Sequence, residues 1–186
     1  ALALAAYWNV PVRVARAELP FVDGRVAYPP ADTGVGGPLA PLAALWRPQA
    51  ADLGRWVRPW EQAPPGWEMV PLPGPTPGHT GLWRPDDRVL IAGDALANVD
   101  FESWSAFLRG RPRLALPPPP LVMDWEALRR TWRRIAALEP RTLVCGHGPV
   151  LSGDDLPARL RRFADVKVVV RKGRYVAQPV RFGDDG

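Results

Sequence analysis

Two histidines and one aspartate are the side chains of this sequence that are best placed to do chemistry. His79 and His147 are the only histidines, and each lies in a glycine-containing loop beside a predicted strand. Asp94 follows a glycine at the end of another apolar run. Imidazole and carboxylate groups are ligands that a zinc-like ion prefers. The pattern therefore predicts a metal site formed by His79, Asp94 and His147.

A predicted β-hairpin brings two of these side chains together. Residues 81–84 and 88–92 are apolar-rich runs joined by a Pro-Asp-Asp turn, which is typical of antiparallel strands. If the turn is centred between positions 86 and 87, His79 and Asp94 lie opposite each other just beyond the strand ends. Opposite residues in an antiparallel pair are about 4.5–5.5 Å apart at Cα. A slip of one residue in the register would remove this juxtaposition.

His147 is predicted to reach the same region from a third strand. Residues 142–145 (TLVC) form a short buried strand, and His147 follows between Gly146 and Gly148. Glycine allows the backbone to turn sharply and bring a side chain to the rim of a sheet. We therefore expect the three candidate ligands to converge on one rim.

The first third of the chain is expected to contain only short elements. Residues 1–8 predict a helix that ends at Asn9, and residues 10–15 (VPVRVA) predict a strand. Residues 19–48 are rich in Pro and Gly, which favours loop with a short helix near residues 39–46. Residues 67–72 predict a further strand.

A longer amphipathic helix is predicted after Asp124, which has the character of an N-cap. Pro140 ends this helix. Its buried stripe is predicted to consist of Trp125, Leu128, Trp132, Ile135 and Ala136.

The C-terminal region is predicted to contain one more helix and two strands. Ser152 and Asp155 resemble a capping box at the start of the helix. Residues 167–180 predict two strands around Gly173. The apolar positions of the helix are Leu156, Leu160, Phe163 and Ala164.

Length and composition indicate one globular domain, residues 1–186, with a formal charge of +5. The arginines concentrate in two predicted helices, at residues 129–134 and 159–162, where a solvated helix face explains them better than nucleic-acid binding does. Cys145 is the only cysteine, so a reducing, cytoplasmic compartment is expected. No stretch approaches the length of a membrane span.

Three segments resemble successive motifs of the metallo-β-lactamase superfamily in their order and spacing. They are residues 75–80 (PTPGHT), 89–96 (VLIAGDAL) and 144–148 (VCGHG). The resemblance extends over most of the chain and is closest to the hydrolases of that fold that are similar to glyoxalase II.

The resemblance implies an α/β (α+β) fold, an αββα sandwich with the metals at one sheet edge. It implies that His79 completes the site of a first metal, that Asp94 bridges two metals and that His147 binds the second. The cofactors are then two divalent ions, zinc in the first place, with iron or manganese as alternatives. The implied reaction is attack of a hydroxide held by the two metals on an ester, thioester, lactone or amide of a small-molecule substrate.

The family's remaining ligands come from an H-x-H-x-D-H motif, which this chain lacks. The motif normally precedes an Ala/Leu-rich helix like the one in which the chain opens. We therefore expect the chain to be the C-terminal portion of the domain, missing N-terminal strands and inactive as given.

Two other classes of function remain open at this level. One is a non-catalytic scaffold or binding protein of the same fold, which could use the proline run at residues 116–121 for docking, although a stiff loop that needs no partner is the favoured interpretation of that run. The other is a basic nucleic-acid-binding domain.

Several conspicuous side chains have simpler explanations than catalysis. Cys145 is better explained as a small strand residue than as a nucleophile, since no third histidine remains to activate it. Asp124 is favoured as an N-cap over an acid/base group. Trp83, Trp104 and Trp125 are favoured as core residues over the lining of a substrate pocket.

Overall fold

The fold is described by a computed structural model that covers residues 2–37, 39–43, 45, 56–100, 112–166 and 172–181. Helix α1 spans Leu2–Trp8 and ends at Asn9, as predicted. Asn9 has a left-handed backbone conformation. Strand β1 (Val12–Val14) lies inside the predicted range and pairs in parallel with β2 (Val57–Pro59). Trp104 and part of the predicted short helix at 39–46 lie outside the described residues.

Four short helical turns lie in the described part of the region between β1 and β2. They are a 3-10 turn at Arg16–Glu18, α2 at Leu19–Val22, a second 3-10 turn at Thr33–Val35 and α3 at Ala40–Ala43. The prediction of loop with a short helix near residues 39–46 is confirmed for the described part.

A five-stranded mixed sheet forms the centre of the domain. Its strands are β3 (Glu68–Pro71), β4 (Thr80–Arg84), β5 (Val89–Gly93), β6 (Thr142–Cys145) and β7 (Leu151–Ser152), in that spatial order. The β5–β6 pair is parallel and the other pairs are antiparallel.

The β4–β5 hairpin has the predicted register. Leu82 is paired with Ile91, Trp83 with Leu90 and Arg84 with Val89. This register is favoured because Trp83, Leu90 and Ala92 alternate into the core while their neighbours do not.

Helix α4 (Trp125–Leu138) connects β5 to β6 across one face of the sheet. The Asp124 carboxylate accepts a hydrogen bond of 2.8 Å from the Ala127 amide, so the predicted N-cap is confirmed. The predicted stripe is buried along its whole length. Trp125 and Trp83 are core residues, as favoured from the sequence.

Two predictions for the C-terminal region are wrong. Helix α5 spans Leu156–Asp165, but Ser152 belongs to β7 and the Asp155 side chain makes no capping hydrogen bond, so there is no capping box. In the described part of residues 167–180 there is a short helix, α6 (Arg174–Ala177), where a second strand was expected. Tyr175 of this helix is buried, and that tertiary contact outweighs local strand propensity.

Within the described ranges, no helix combines the length and the apolar character that crossing a membrane requires.

Candidate metal centre

His79 is fixed in the loop between β3 and β4 by hydrogen bonds at both ring nitrogens. Its Nδ1 lies 3.1 Å from the carbonyl oxygen of Leu72, and its Nε2 accepts a hydrogen bond of 3.0 Å from the backbone amide of Asp94. A carbonyl partner places the proton on Nδ1, which leaves the lone pair on Nε2. This is the tautomer and the Nδ1 contact usual for a metal-binding histidine, and a metal on Nε2 would replace the hydrogen bond from the Asp94 amide.

Burial keeps His79 in its neutral form. Desolvation lowers the pKa of the imidazole, and this effect is opposed by the negative charge of Asp94 and by the bond to Leu72. A neutral imidazole is the form that binds a metal.

Asp94 and His147 face each other at the same rim. His147 Nε2 lies 3.6 Å from Asp94 Oδ1, and about half of each side chain is exposed. Asp94 thus contacts both imidazoles, His147 through its carboxylate and His79 through its backbone amide. The predicted convergence of the three residues is present in the fold, while their role as metal ligands stays a prediction.

Glycines next to Asp94 and His147 make this close packing possible. A Cβ on Gly93 would lie 2.7 Å from His79 Nε2, and a Cβ on Gly146 would lie 2.1 Å from Asp94 Oδ1. Gly93 also has a φ of 54°. Any larger residue at these positions would displace a candidate ligand.

The described residues hold an incomplete set of ligands for one ion. No group of three or more His, Cys, Asp and Glu side chains among them is arranged to hold a metal. Asp94 contacts His147 through its carboxylate, but it contacts His79 through its backbone amide. The described residues therefore supply only part of the predicted metal site.

Asn98 is a positioning residue that the sequence argument missed. Its side chain is fully buried, and its Nδ2 donates to the carbonyl oxygens of Leu143, at 3.3 Å, and Pro149, at 2.8 Å. Its backbone amide donates to the His147 carbonyl oxygen at 2.9 Å. These bonds hold the His147 loop from both ends. The only local signal was a polar residue inside an apolar run.

Glu18 supports the His79 loop in a similar way. Its carboxylate accepts a hydrogen bond of 2.7 Å from the Gly78 amide and also bonds the Thr76 side chain. Burial raises the pKa of this carboxyl, and the two hydrogen bonds oppose the shift. Sixty positions separate Glu18 from Gly78, so no spacing pattern could reveal the contact.

Cys145 does not have the properties of an activated nucleophile. Its thiol donates to Asn98 Oδ1 at 3.2 Å, and burial, together with the charge of Asp94, raises the pKa of the thiol to about 12. A protonated thiol is a poor nucleophile. The structure agrees with the interpretation of Cys145 as a strand residue.

A pocket of about 130 Å³ opens beside Asp94 and His147. Prolines 117, 118 and 120 form part of its wall, and Pro119 and Pro120 are buried. The proline run therefore faces inward, which agrees with the stiff-loop interpretation.

Comparison with known proteins identifies the family. The profile of the metallo-beta-lactamase superfamily matches residues 1–147. The chain belongs to this superfamily, and the resemblance inferred from the three motifs is confirmed. Among curated proteins it is 34% identical over 165 residues to the "Probable metallo-hydrolase YflN" of Bacillus subtilis strain 168. That alignment covers 86% of this chain and 62% of the relative, so the chain spans less than two thirds of the relative's length.

Solved structures agree on the fold. A metallo-β-lactamase superfamily protein from Sulfolobus tokodaii aligns with a TM-score of 0.52 at 15% identity, over 90% of this chain and 64% of that one. The protein TTHA1623, crystallised in a di-iron-bound form, aligns with a TM-score of 0.50 at 25% identity, over 87% and 69%. The predicted α/β sandwich class is thereby confirmed.

Proposed function

We propose that the protein is a metal-dependent hydrolase and that His79, Asp94 and His147 form its metal-binding rim. The observation that supports this most is the position of the Asp94 carboxylate, which faces His147 at 3.6 Å while the Asp94 amide holds His79 Nε2 at 3.0 Å. Superfamily membership and a metallo-hydrolase relative point in the same direction.

The residues present suit divalent metal ions in their chemistry. His79 has a buried neutral ring whose Nδ1 is already engaged, Asp94 is a half-exposed carboxylate, and His147 is half exposed beside it. When bound, such ions polarise a carbonyl oxygen and lower the pKa of a coordinated water to about 7. Zinc suits this donor set, and the di-iron form of TTHA1623 keeps iron as an alternative.

The chain's own residues would supply orientation. Asp94 contacts both histidines, and its carboxylate would be shared by the ions that they hold. Asn98 and Glu18 would keep His147 and His79 in place through the backbone of their loops. The pocket beside Asp94 and His147 would receive a substrate with an ester, thioester or lactone bond.

A carboxylate at position 94 disfavours the β-lactamases of the family that carry Cys there. The segment from Asp94 to His147 is short for the nucleases of the family, which often carry an inserted domain before the last histidine. A glyoxalase II-like hydrolase of the cytoplasm is therefore the finer assignment that we propose.

This chain on its own should bind metal weakly. A catalytic zinc site usually has three protein ligands, and the described residues offer each ion one histidine and a share of Asp94. An H-x-H-x-D-H segment on the N-terminal side, as the resemblance implies, would supply the remainder. Tight stoichiometric zinc uptake by residues 1–186 in a calorimetric titration would contradict this part of the proposal.

The test of function uses the protein encoded by the complete gene, assayed against a panel of one thioester, one lactone, one aryl ester and one phosphodiester. Asp94→Asn should reduce hydrolysis of the carbonyl substrates by at least about 100-fold, because a bridging carboxylate is lost. Asp87→Asn makes the same charge change at the turn of the same hairpin, where Asp87 pairs with Arg84 in solvent, and should keep full activity. Inactivity of the unmodified, metal-loaded protein on every substrate would favour the scaffold alternative.

A further inference from the structure

The pocket beside the candidate metal centre has an unusual chemical character. Its volume is about 130 Å³, and it reaches Asp94 and His147 at one end. Prolines from three separate segments face it, at positions 29 and 30, at 75, and at 117, 118 and 120. Leu121, Val122 and Met123 complete an apolar side.

The described lining offers little to a charged substrate. Apart from Asp94 and His147, which we assign to the metal centre, its only titratable groups are the phenols of Tyr28 and Tyr175, and it contains no Arg or Lys. Proline has no backbone N–H, so the proline walls also lack the donors that could bind an anion. A carboxylate or phosphate placed here would lose hydration and would gain no Arg or Lys partner from the described lining, at a large cost in free energy.

The walls are held in place by a buried hydrogen-bond network. Asp32 is 4% exposed, and its carboxylate accepts from the backbone amide of Tyr175 at 3.1 Å. The Asp32 amide donates to the Pro120 carbonyl oxygen at 2.7 Å, and the Tyr175 hydroxyl donates to the Pro30 carbonyl oxygen at 2.5 Å. Three distant segments are thereby joined into one wall, so the apolar character of the pocket is built into the fold.

We infer that this pocket binds an uncharged, apolar acyl or alkyl group of the substrate and excludes a carboxylate or phosphate at that position. The inference rests on the proposed hydrolase function and narrows it to uncharged, apolar esters, thioesters or lactones.

Binding can be tested without catalysis, by using the complete, metal-free protein and two amides of equal length. Hexanamide ends in a methyl group, and adipic acid monoamide carries a carboxylate at the same position. Ligand-observed NMR titration should give a dissociation constant at least about 10-fold lower for hexanamide, because the charged end is not solvated in the pocket. Equal or tighter binding of the charged amide would overturn the inference.

A single substitution should reverse the preference. Leu121 is half-buried in the wall, and Leu121→Arg would place a guanidinium beside the ligand, raising the affinity for the monoamide and lowering that for hexanamide. Val166→Arg adds the same charge at an exposed residue that does not line the pocket, and should leave both affinities unchanged. A parallel change in the two variants would contradict a role for the pocket.

The two proposals fail separately. Selective binding of hexanamide by a protein that hydrolyses no ester would leave the pocket assignment standing and overturn the hydrolase assignment. Ester hydrolysis with no preference between the two amides would leave the hydrolase assignment standing and overturn the pocket assignment.

Discussion

Replacing Asn98 by Leu tests whether a buried amide positions the His147 loop. Leu has a similar size, so the change removes hydrogen bonds with little change in volume. It deprives the carbonyl oxygens of Leu143 and Pro149 of their donors, at 3.3 and 2.8 Å, and deprives the Cys145 thiol of its acceptor.

The magnitude follows from the number of groups left unsatisfied. A buried polar group without its partner costs about 1–3 kcal/mol, and the thiol bond is weak and adds little. With two carbonyl groups affected, and partial relief from added apolar burial, we expect a loss of about 2–4 kcal/mol in the free energy of unfolding. For a domain of this size that corresponds to a fall in Tm of about 4–16 °C.

Local and global effects are separated by a control at another core position. Ile135→Ala, in α4, is expected to cost about 2–5 kcal/mol through a cavity and removes no side-chain hydrogen bond to the His147 loop. Urea unfolding gives the two stabilities, and native-state hydrogen exchange gives the opening of residues 146–150. Asn98→Leu should increase exchange in this loop more than Ile135→Ala does. A loss below about 0.5 kcal/mol, or equal loop exchange in both variants, would refute the positioning role.

Three further substitutions give separate tests. Gly146→Ala should weaken metal uptake by the complete protein at least about 10-fold in a zinc titration, because the added Cβ would lie 2.1 Å from Asp94 Oδ1; unchanged uptake would contradict this. Asp124→Ala should lower stability by about 1–2 kcal/mol in urea unfolding, through loss of the helix cap, and a neutral result would show that the capping bond contributes nothing. Glu18→Gln keeps an acceptor for the Gly78 amide but removes the charge. Burial raises the folded-state pKa of Glu18 above the unfolded value of about 4.5, so ionisation of Glu18 costs stability as the pH rises. The stability of the variant relative to the natural protein should therefore increase between pH 4 and pH 7. A decrease of this stability difference with pH would refute the burial argument.

Local pattern was sufficient to predict the hairpin and the main helix. The register of β4 and β5 follows from an apolar alternation and a short turn, and these two features alone placed His79 opposite Asp94. Helix α4 has a clear cap at Asp124 and a stripe at helical spacing, so both its start and its buried face were predictable.

The missed features depend on contacts between distant segments. Asn98 and Glu18 act through backbone groups of loops that lie 45 to 60 positions away, and such contacts leave no periodic trace. The region around Tyr175 was predicted as a strand from its apolar residues, but its partners are Asp32 and Pro30, near the other end of the chain. The capping box at Ser152 was wrong because pairing with Thr142 places that residue in β7.

The most direct test of the metal centre is a crystal structure of the complete protein with bound metal, with the ions located by anomalous scattering. We expect ions within about 2.0–2.2 Å of His79 Nε2, of an Asp94 carboxylate oxygen and of a ring nitrogen of His147. Metal bound at full occupancy elsewhere, with any of these three side chains outside the coordination sphere, would contradict it.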